Sequence, residues 1–316
     1  MKAKYRDHLP QLDGGVFLTD GGLETTLVFH DGIELPEFAA FDLLKDEEGT
    51  EVLRGYYERY AAIAREHGVG FVLESPTWRA NSDWAAKIGY SKQELDRLNR
   101  KAIALMEEIR DTRLADTVAV ISGCVGPQDD GYNPSAKLTA GDAERYHSTE
   151  IETFADTAAD MVTAITMTYA EEAVGVTNAG RAAGMPVAIS FTVETDGTLP
   201  SGQALGEAIQ QVDSETSGGP AYFMVNCAHP THFEAVFEHE EPWRERIRGI
   251  RANASAKSHA ELDEATELDE GDPADLAARH AQLKERLPQV SVLGGCCGTD
   301  HRHVARIAEA WLAEAS

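Results

Sequence analysis

Val290-Ser291-Val292-Leu293-Gly294-Gly295-Cys296-Cys297-Gly298-Thr299-Asp300 is one whole architectural unit in miniature. The apolar run Val290 to Leu293 reads as a strand, and the glycine-flanked cysteine pair after it as a turn. Asp300 then N-caps a helix running to about residue 313. Upstream the same alternation recurs. Strand-like runs fall at 16–19, 69–73, 117–121, 161–165, 187–191, 222–226 and 247–252. Helical spacing follows each. Residues 51–67 put Val52, Tyr56, Tyr60 and Ile63 on one face. Ser91, with Glu94 completing a capping box, opens a helix to about residue 112. Further helices are expected at 140–158, at 171–183 (stopped by Gly184 and Pro186), at 204–212 and at 231–238. Asp272 and Pro273 start another, which runs to 287.

Eight strand-like runs alternating with eight helices imply parallel strands joined by right-handed crossovers. That is the pattern of an α/β protein of the (β/α)8 TIM-barrel type, with residues 1–316 as a single domain. An open doubly wound sheet is the alternative, but no G-x-G-x-x-G fingerprint opens the chain. Residues 128–137 read as a polar loop, and 253–272 as a long acidic loop with one helical turn.

Composition narrows the function. The chain has 316 residues, 42% of them hydrophobic and 26% charged, with no apolar run long enough for a membrane span and a polar start unlike a signal peptide. A cytoplasmic location is the default expectation. The formal net charge of −26 disfavours nucleic acid and anionic membranes as partners and is compatible with a high-salt cytoplasm. A homo-oligomer is left open. Four cysteines in so long a chain are no disulfide framework.

In a barrel of this kind the active site forms at the C-terminal ends of the strands. That rim collects Asp20 and Glu24, then Glu74, Ser75 and Thr77, then Cys124, Asn226, Cys227, Asn253, Cys296 and Cys297. Thiols on two strand ends suit a soft metal, above all Zn2+, and three protein ligands leave one tetrahedral position open. Such a site holds a substrate thiol as its thiolate at neutral pH, ready to attack a methyl group on sulfonium or ammonium. No catalytic residue is expected beyond the zinc site. Trp78 is the main aromatic placed to face a cationic methyl group. Cys124 alone reads as a small core residue. His229, His232, His301 and His303 read as solvated helix starts, and Glu261 to Glu270 as a solvated acidic face. A zinc hydrolase or lyase on the same barrel is the competing enzyme class, but it wants more nitrogen ligands and a base. A non-catalytic zinc or thiol sensor is the third reading.

At these residues the sequence resembles the homocysteine S-methyltransferase family. The pieces are Asp20-Gly21-Gly22 with Thr25, Ser75-x-Thr77-Trp78-x-Ala80, Gly123-x-Val125-Gly126-Pro127, Pro186-Val187-x-Ile189-Ser190-Phe191, Asn226-Cys227, and Gly294-Gly295-Cys296-Cys297-Gly298-Thr299. They span nearly the whole chain in family order. The resemblance implies a (β/α)8 barrel with one zinc on Cys227, Cys296 and Cys297, serving methionine biosynthesis by methyl transfer to homocysteine. It implies that Asp20 helps hold the amino acid's ammonium group, with Ser75, Thr77 and Asn226 also at the substrate. Two departures stand out. Ile165 replaces the glutamate the family commonly carries at the end of strand four, which makes Glu74 the expected substitute carboxylate. Arg251-Ala252-Asn253 replaces a Tyr-Pro-Asn type motif. With no cobalamin or folate domain, a small free donor is expected, such as S-methylmethionine, S-adenosylmethionine or a betaine. A methyltransferase-like barrel acting on another thiol is the alternative.

Overall fold

In the computed structural model, which describes residues 2–132, 134 and 137–313, eight parallel strands close into a barrel. They are β1 (Phe17–Leu18), β2 (Gly70–Glu74), β3 (Ala119–Val125), β4 (Met161–Met167), β5 (Val187–Phe191), β6 (Tyr222–Asn226), β7 (Ile247–Ala252) and β8 (Val292–Gly295). Each pairs with the next, and β8 returns to β1 through Phe17–Val292 and Leu18–Leu293. The principal helices are α1 (Glu47–His67), α2 (Lys92–Arg113), α3 (Ala140–Ala155), α4 (Ala170–Ala182), α5 (Leu205–Thr216), α6 (Pro230–Phe233), α7 (Pro273–Arg286) and α8 (His301–Leu312). The expected (β/α)8 class therefore stands. No described helix is long and apolar enough to cross a membrane.

Period-2 alternation along the strands decides what faces inward. One set, Phe17, Val72, Val120, Met161, Ala188, Tyr222, Met224 and Val292, forms a compact apolar layer inside the barrel, joined by Leu9 from the N-terminal segment. The alternate residues, such as Leu18, Leu73, Ile121, Ile189 and Ile250, pack outward with the helices. In α8, buried Val304, Ile307, Ala308 and Trp311 recur at helical spacing on the face that meets the sheet. One inward step beyond the apolar layer, toward the C-terminal ends, polarity changes. There lie Glu74, Ser122, Thr163, Ser190 and Asn226, all buried. The barrel is thus oily at one end and polar at the other.

Several boundaries differ from expectation. Helix α1 starts at Glu47, because Asp46 accepts the Gly49 N–H as its N-cap. The expected helix at 231–238 is only four residues of α6 followed by a 3-10 turn, Glu234–Phe237. Strand β8 lies at Val292–Gly295, not at 290–293. Gly294 and Gly295 read as turn, yet they pair with Arg251 and Ala252 of β7 and continue the ladder. The turn is made by Cys296 to Gly298, where Gly298 supplies φ 77°. The acidic loop does hold its one helical turn, His259–Asp263, capped by Ser258 and Glu261.

Candidate metal centre and active site

The three expected ligands converge, and backbone contacts explain how. Cys227 follows β6 with φ 53°, a left-handed conformation that costs a β-carbon-bearing residue energy and needs its surroundings to hold it. Those surroundings are explicit. Its N–H donates to the Arg251 carbonyl at 3.1 Å. Its carbonyl accepts from Asn253 Nδ2 at 3.0 Å and lies 2.7 Å from His259 Nε2. Cys296 is tied to β7 by its N–H on the Ala252 carbonyl at 2.8 Å, and its own carbonyl accepts the Thr299 hydroxyl at 2.7 Å. Two neighbouring strand ends therefore hang on β7, which lies between them.

One sulfur from each of Cys227, Cys296 and Cys297 lies within 4.8 Å of the others. Cys227 Sγ and Cys297 Sγ are 4.0 Å apart. Four ligands around zinc at Zn–S of about 2.3 Å stand about 3.8 Å from one another, so this spacing fits. Cys227 and Cys296 are paired as a disulfide with Cα atoms 5.3 Å apart, leaving Cys297 free. With that bond reduced, three thiolates face one point: a soft donor set suited to zinc. Cys124 is the other free cysteine; it is buried and lies outside the cluster, as its reading as a core residue expects. A further group among the described residues, His30, Glu270 and Asp300, already holds a cation, since Arg302 donates to Asp300 and Glu270 at 2.8 and 2.6 Å.

The sulfurs open onto a cavity of about 560 Å³, whose lining includes Asp20, Glu24, Glu74, Ser75, Arg251 and Cys124. Asp20 is there, but its oxygens are engaged. Oδ1 accepts from Thr19 at 2.9 Å and from Arg251 Nη2 at 2.7 Å, and Oδ2 from Tyr56 at 3.0 Å. Glu74, 4% exposed, has one carboxylate oxygen, Oε2, with no hydrogen-bond partner. Burial raises the Glu74 carboxyl to about 7, while the positive Arg251 pulls it down. Glu24 is likewise raised to about 7, chiefly by burial.

Ser75 lines the cavity, whereas Thr77 and Asn226 are placed as braces. The Ser75 and Thr77 hydroxyls bond each other at 2.7 Å, and Thr77 donates to the Cys124 carbonyl at 2.7 Å, stitching β2 to β3. Asn226 Oδ1 accepts from the Thr166 N–H at 3.0 Å and from Ser190 at 2.6 Å. Its Nδ2 donates to Thr166 Oγ1 at 2.9 Å and lies 3.9 Å from Cys296 Sγ. That bracing holds Thr166 at φ 65°, at a register shift between Ala164 and Met167 of β4. Ile165 lines the cavity and brings no charge to it. Trp78 lines it too, with the Arg79 guanidinium 5.0 Å from its ring centroid. Of the histidines expected at solvated helix starts, His229 accepts the Thr231 N–H and His303 completes the capping box at Asp300, but His229, His232 and His303 are buried, not solvated.

Tyr132 went unread inside the polar loop. Its hydroxyl lies 3.3 Å from Cys297 Sγ and its ring stacks on His259 at 4.1 Å. A lone aromatic in an otherwise polar loop was the available signal.

Comparison with known proteins agrees with this geometry. Residues 17–311 match the homocysteine S-methyltransferase family. Among solved structures, the oxidized form of the homocysteine methyltransferase MmuM from Escherichia coli is 19% identical, with a TM-score of 0.75 over 93% of this chain and 95% of that one. Its metallated form gives 18% and 0.75 over 95% and 98%, and its apo form 18% and 0.67 over 94% and 96%. At these identities the structural likeness is one of fold. No curated protein matches the chain.

Proposed function

The chain belongs to the homocysteine S-methyltransferase family and is a methyltransferase, and from that premise we propose that it transfers a methyl group from a small free donor to the thiol of homocysteine, with zinc on Cys227, Cys296 and Cys297. The observation that carries this is the convergence of three cysteine sulfurs, with one side open, at the polar mouth of the barrel beside the cavity.

Zinc bound there would supply a Lewis acid that keeps the acceptor sulfur ionised at neutral pH. The chain's own residues do the rest. Glu74, whose buried Oε2 has no hydrogen-bond partner, is the carboxylate left to receive the acceptor's ammonium, since Asp20 is engaged and Ile165 brings no charge. An arriving ammonium would hold Glu74 ionised by giving the buried charge a partner. On the donor side, Trp78 and Tyr132 bring aromatic faces to the cavity and Glu24 a carboxyl, a setting that favours a sulfonium or quaternary ammonium. Arg79, packed against Trp78 and paired with Asp130 at 3.7 Å, gives a donor carboxylate a cationic neighbour. S-methylmethionine, S-adenosylmethionine and betaine all carry both features.

The test is direct. Reduced, zinc-loaded protein is incubated with homocysteine and each of the three donors, and methionine is measured by mass spectrometry. Methionine from one donor and none without zinc is the expected result. No methionine from any donor overturns the proposal. A second reading, a different thiol acceptor on the same chemistry, is favoured by the Asp20–Arg251 pair and by Ile165, which together leave the acceptor end of the site less acidic.

A further inference from the structure

Arg251 is the feature that methyl transfer to a thiol does not by itself require. It sits near the end of β7, with Asn226 of β6 as its register partner on one side and Gly294 of β8 on the other. The two strands beside it carry the cysteines. Its side chain is 8% exposed and lines the same cavity as the sulfurs. Nε donates to the Gly295 carbonyl at 3.1 Å. Nη2 donates to Asp20 at 2.7 Å and to the Gly21 carbonyl at 3.3 Å. Nη1 has no hydrogen bond to any described residue.

A purely structural role fits this poorly. A buried ion pair contributes little net stability over apolar residues of the same size, because both ions lose their water. Here the carboxylate also accepts from Thr19 and Tyr56. Three hydrogen bonds fix the guanidinium while its Nη1 stays unspent beside the cavity. A planar, pre-oriented guanidinium with a donor unspent is the group that recognises a carboxylate.

We propose that Arg251 binds the carboxylate of the acceptor thiol and so selects thiols that carry one. The proposal rests on the thiol-acceptor reading and deepens it. Held between Arg251 on β7 and Glu74 on β2, the acceptor is an amino acid whose two charged ends are read by different strands, its sulfur directed to the cysteines. Asp20 then acts on the acceptor only through Arg251, as a positioning residue.

The experiment measures binding by calorimetry to the reduced, zinc-loaded protein, with no donor present. The probes are homocysteine, 3-aminopropanethiol, which lacks only the carboxylate, and 4-mercaptobutanoate, which lacks only the ammonium. Wild type should bind homocysteine about 10- to 100-fold more tightly than 3-aminopropanethiol, the range of a lost charge-assisted hydrogen bond. Arg251→Met should abolish that preference. Because it strands Asp20 in the barrel, the double variant Asp20→Asn/Arg251→Met is measured as well, which removes both charges together. Arg251→Lys should recover part of the preference, having the charge without the fork. Equal wild-type affinity for homocysteine and 3-aminopropanethiol, or a preference that survives in the double variant, overturns the assignment. Binding of 4-mercaptobutanoate as tight as that of homocysteine supports Arg251 and sinks the role given to Glu74. A binding order as stated, with no methyl transfer to any thiol, leaves Arg251 standing and removes the transferase reading.

Discussion

Replacing Glu74 with Gln keeps the side chain's shape and deletes its charge. In the folded chain the carboxyl is raised from 4.5 to about 7 by burial, against the pull of Arg251. Between those values the unfolded chain has lost the proton and the folded chain still holds it, so stability falls as pH rises across that window. Above pH 7 the full penalty of about 3 kcal/mol applies, at about 1.4 kcal/mol per unit. Glutamine escapes it. Urea unfolding of the zinc-free protein should therefore show Glu74→Gln more stable than wild type by about 1 kcal/mol at pH 5.5, rising to about 3 kcal/mol at pH 8.5. Acceptor binding should move the other way. Losing a charge-assisted bond to an ammonium costs about 1.5–3 kcal/mol, or roughly 10- to 100-fold in KM for homocysteine at saturating donor. Wild-type kcat/KM for the acceptor should also decline below about pH 7, where Glu74 is protonated, and the variant should lack that acid limb. Greater stability with weaker binding is a combination no packing defect produces. An unchanged KM would falsify the ammonium role, and a variant less stable than wild type at pH 8.5 would refute the cost of burying the charge.

Other changes separate the remaining parts. Cys296→Ser should reduce bound zinc well below one per chain by elemental analysis, while Cys124→Ser, outside the cluster, should keep full stoichiometry; the reverse pattern would reassign the ligands. Asp20→Asn leaves Arg251 buried without its carboxylate and should lower unfolding free energy by roughly 3–5 kcal/mol in urea; a loss under 1 kcal/mol would mean that the pair is solvated. Gly295→Ala places a methyl group against the Thr299 side chain, which anchors the Cys296 carbonyl, and should weaken zinc binding in a chelator competition with little change in far-ultraviolet dichroism.

Much of this was legible before any coordinates. Strand and helix periodicity is local, so the eight-fold alternation and all four cysteines at strand ends could be read from neighbours in sequence. What escaped is long-range. Arg251 and Asp20 are 231 residues apart, and only barrel closure, which brings β8 beside both β1 and β7, makes them partners. Asn226, Ser75 and Thr77 are expected at the substrate; Ser75 lines the cavity, and the hydroxyl and amide atoms of all three also brace neighbouring segments, which the sequence does not foretell. That depends on which inward positions share a layer, a matter of register that strand composition does not report. The β8 boundary was misread because Gly294 and Gly295 have turn propensity, while the ladder to Arg251 and Ala252 overrides it.

The position of β7 between the two cysteine-bearing strands has an engineering consequence. It holds Cys227 and Cys296 through main-chain atoms, the Arg251 and Ala252 carbonyls, whereas it faces the cavity through a side chain. A main-chain tether is indifferent to the residue that supplies it. Position 251 can thus be rewritten together with Asp20, its buried partner, while the main-chain tethers of the sulfurs stay where they are. In a barrel of this design, diversification of the cavity can proceed by paired substitutions at positions 20 and 251, without loss of the cysteine cluster.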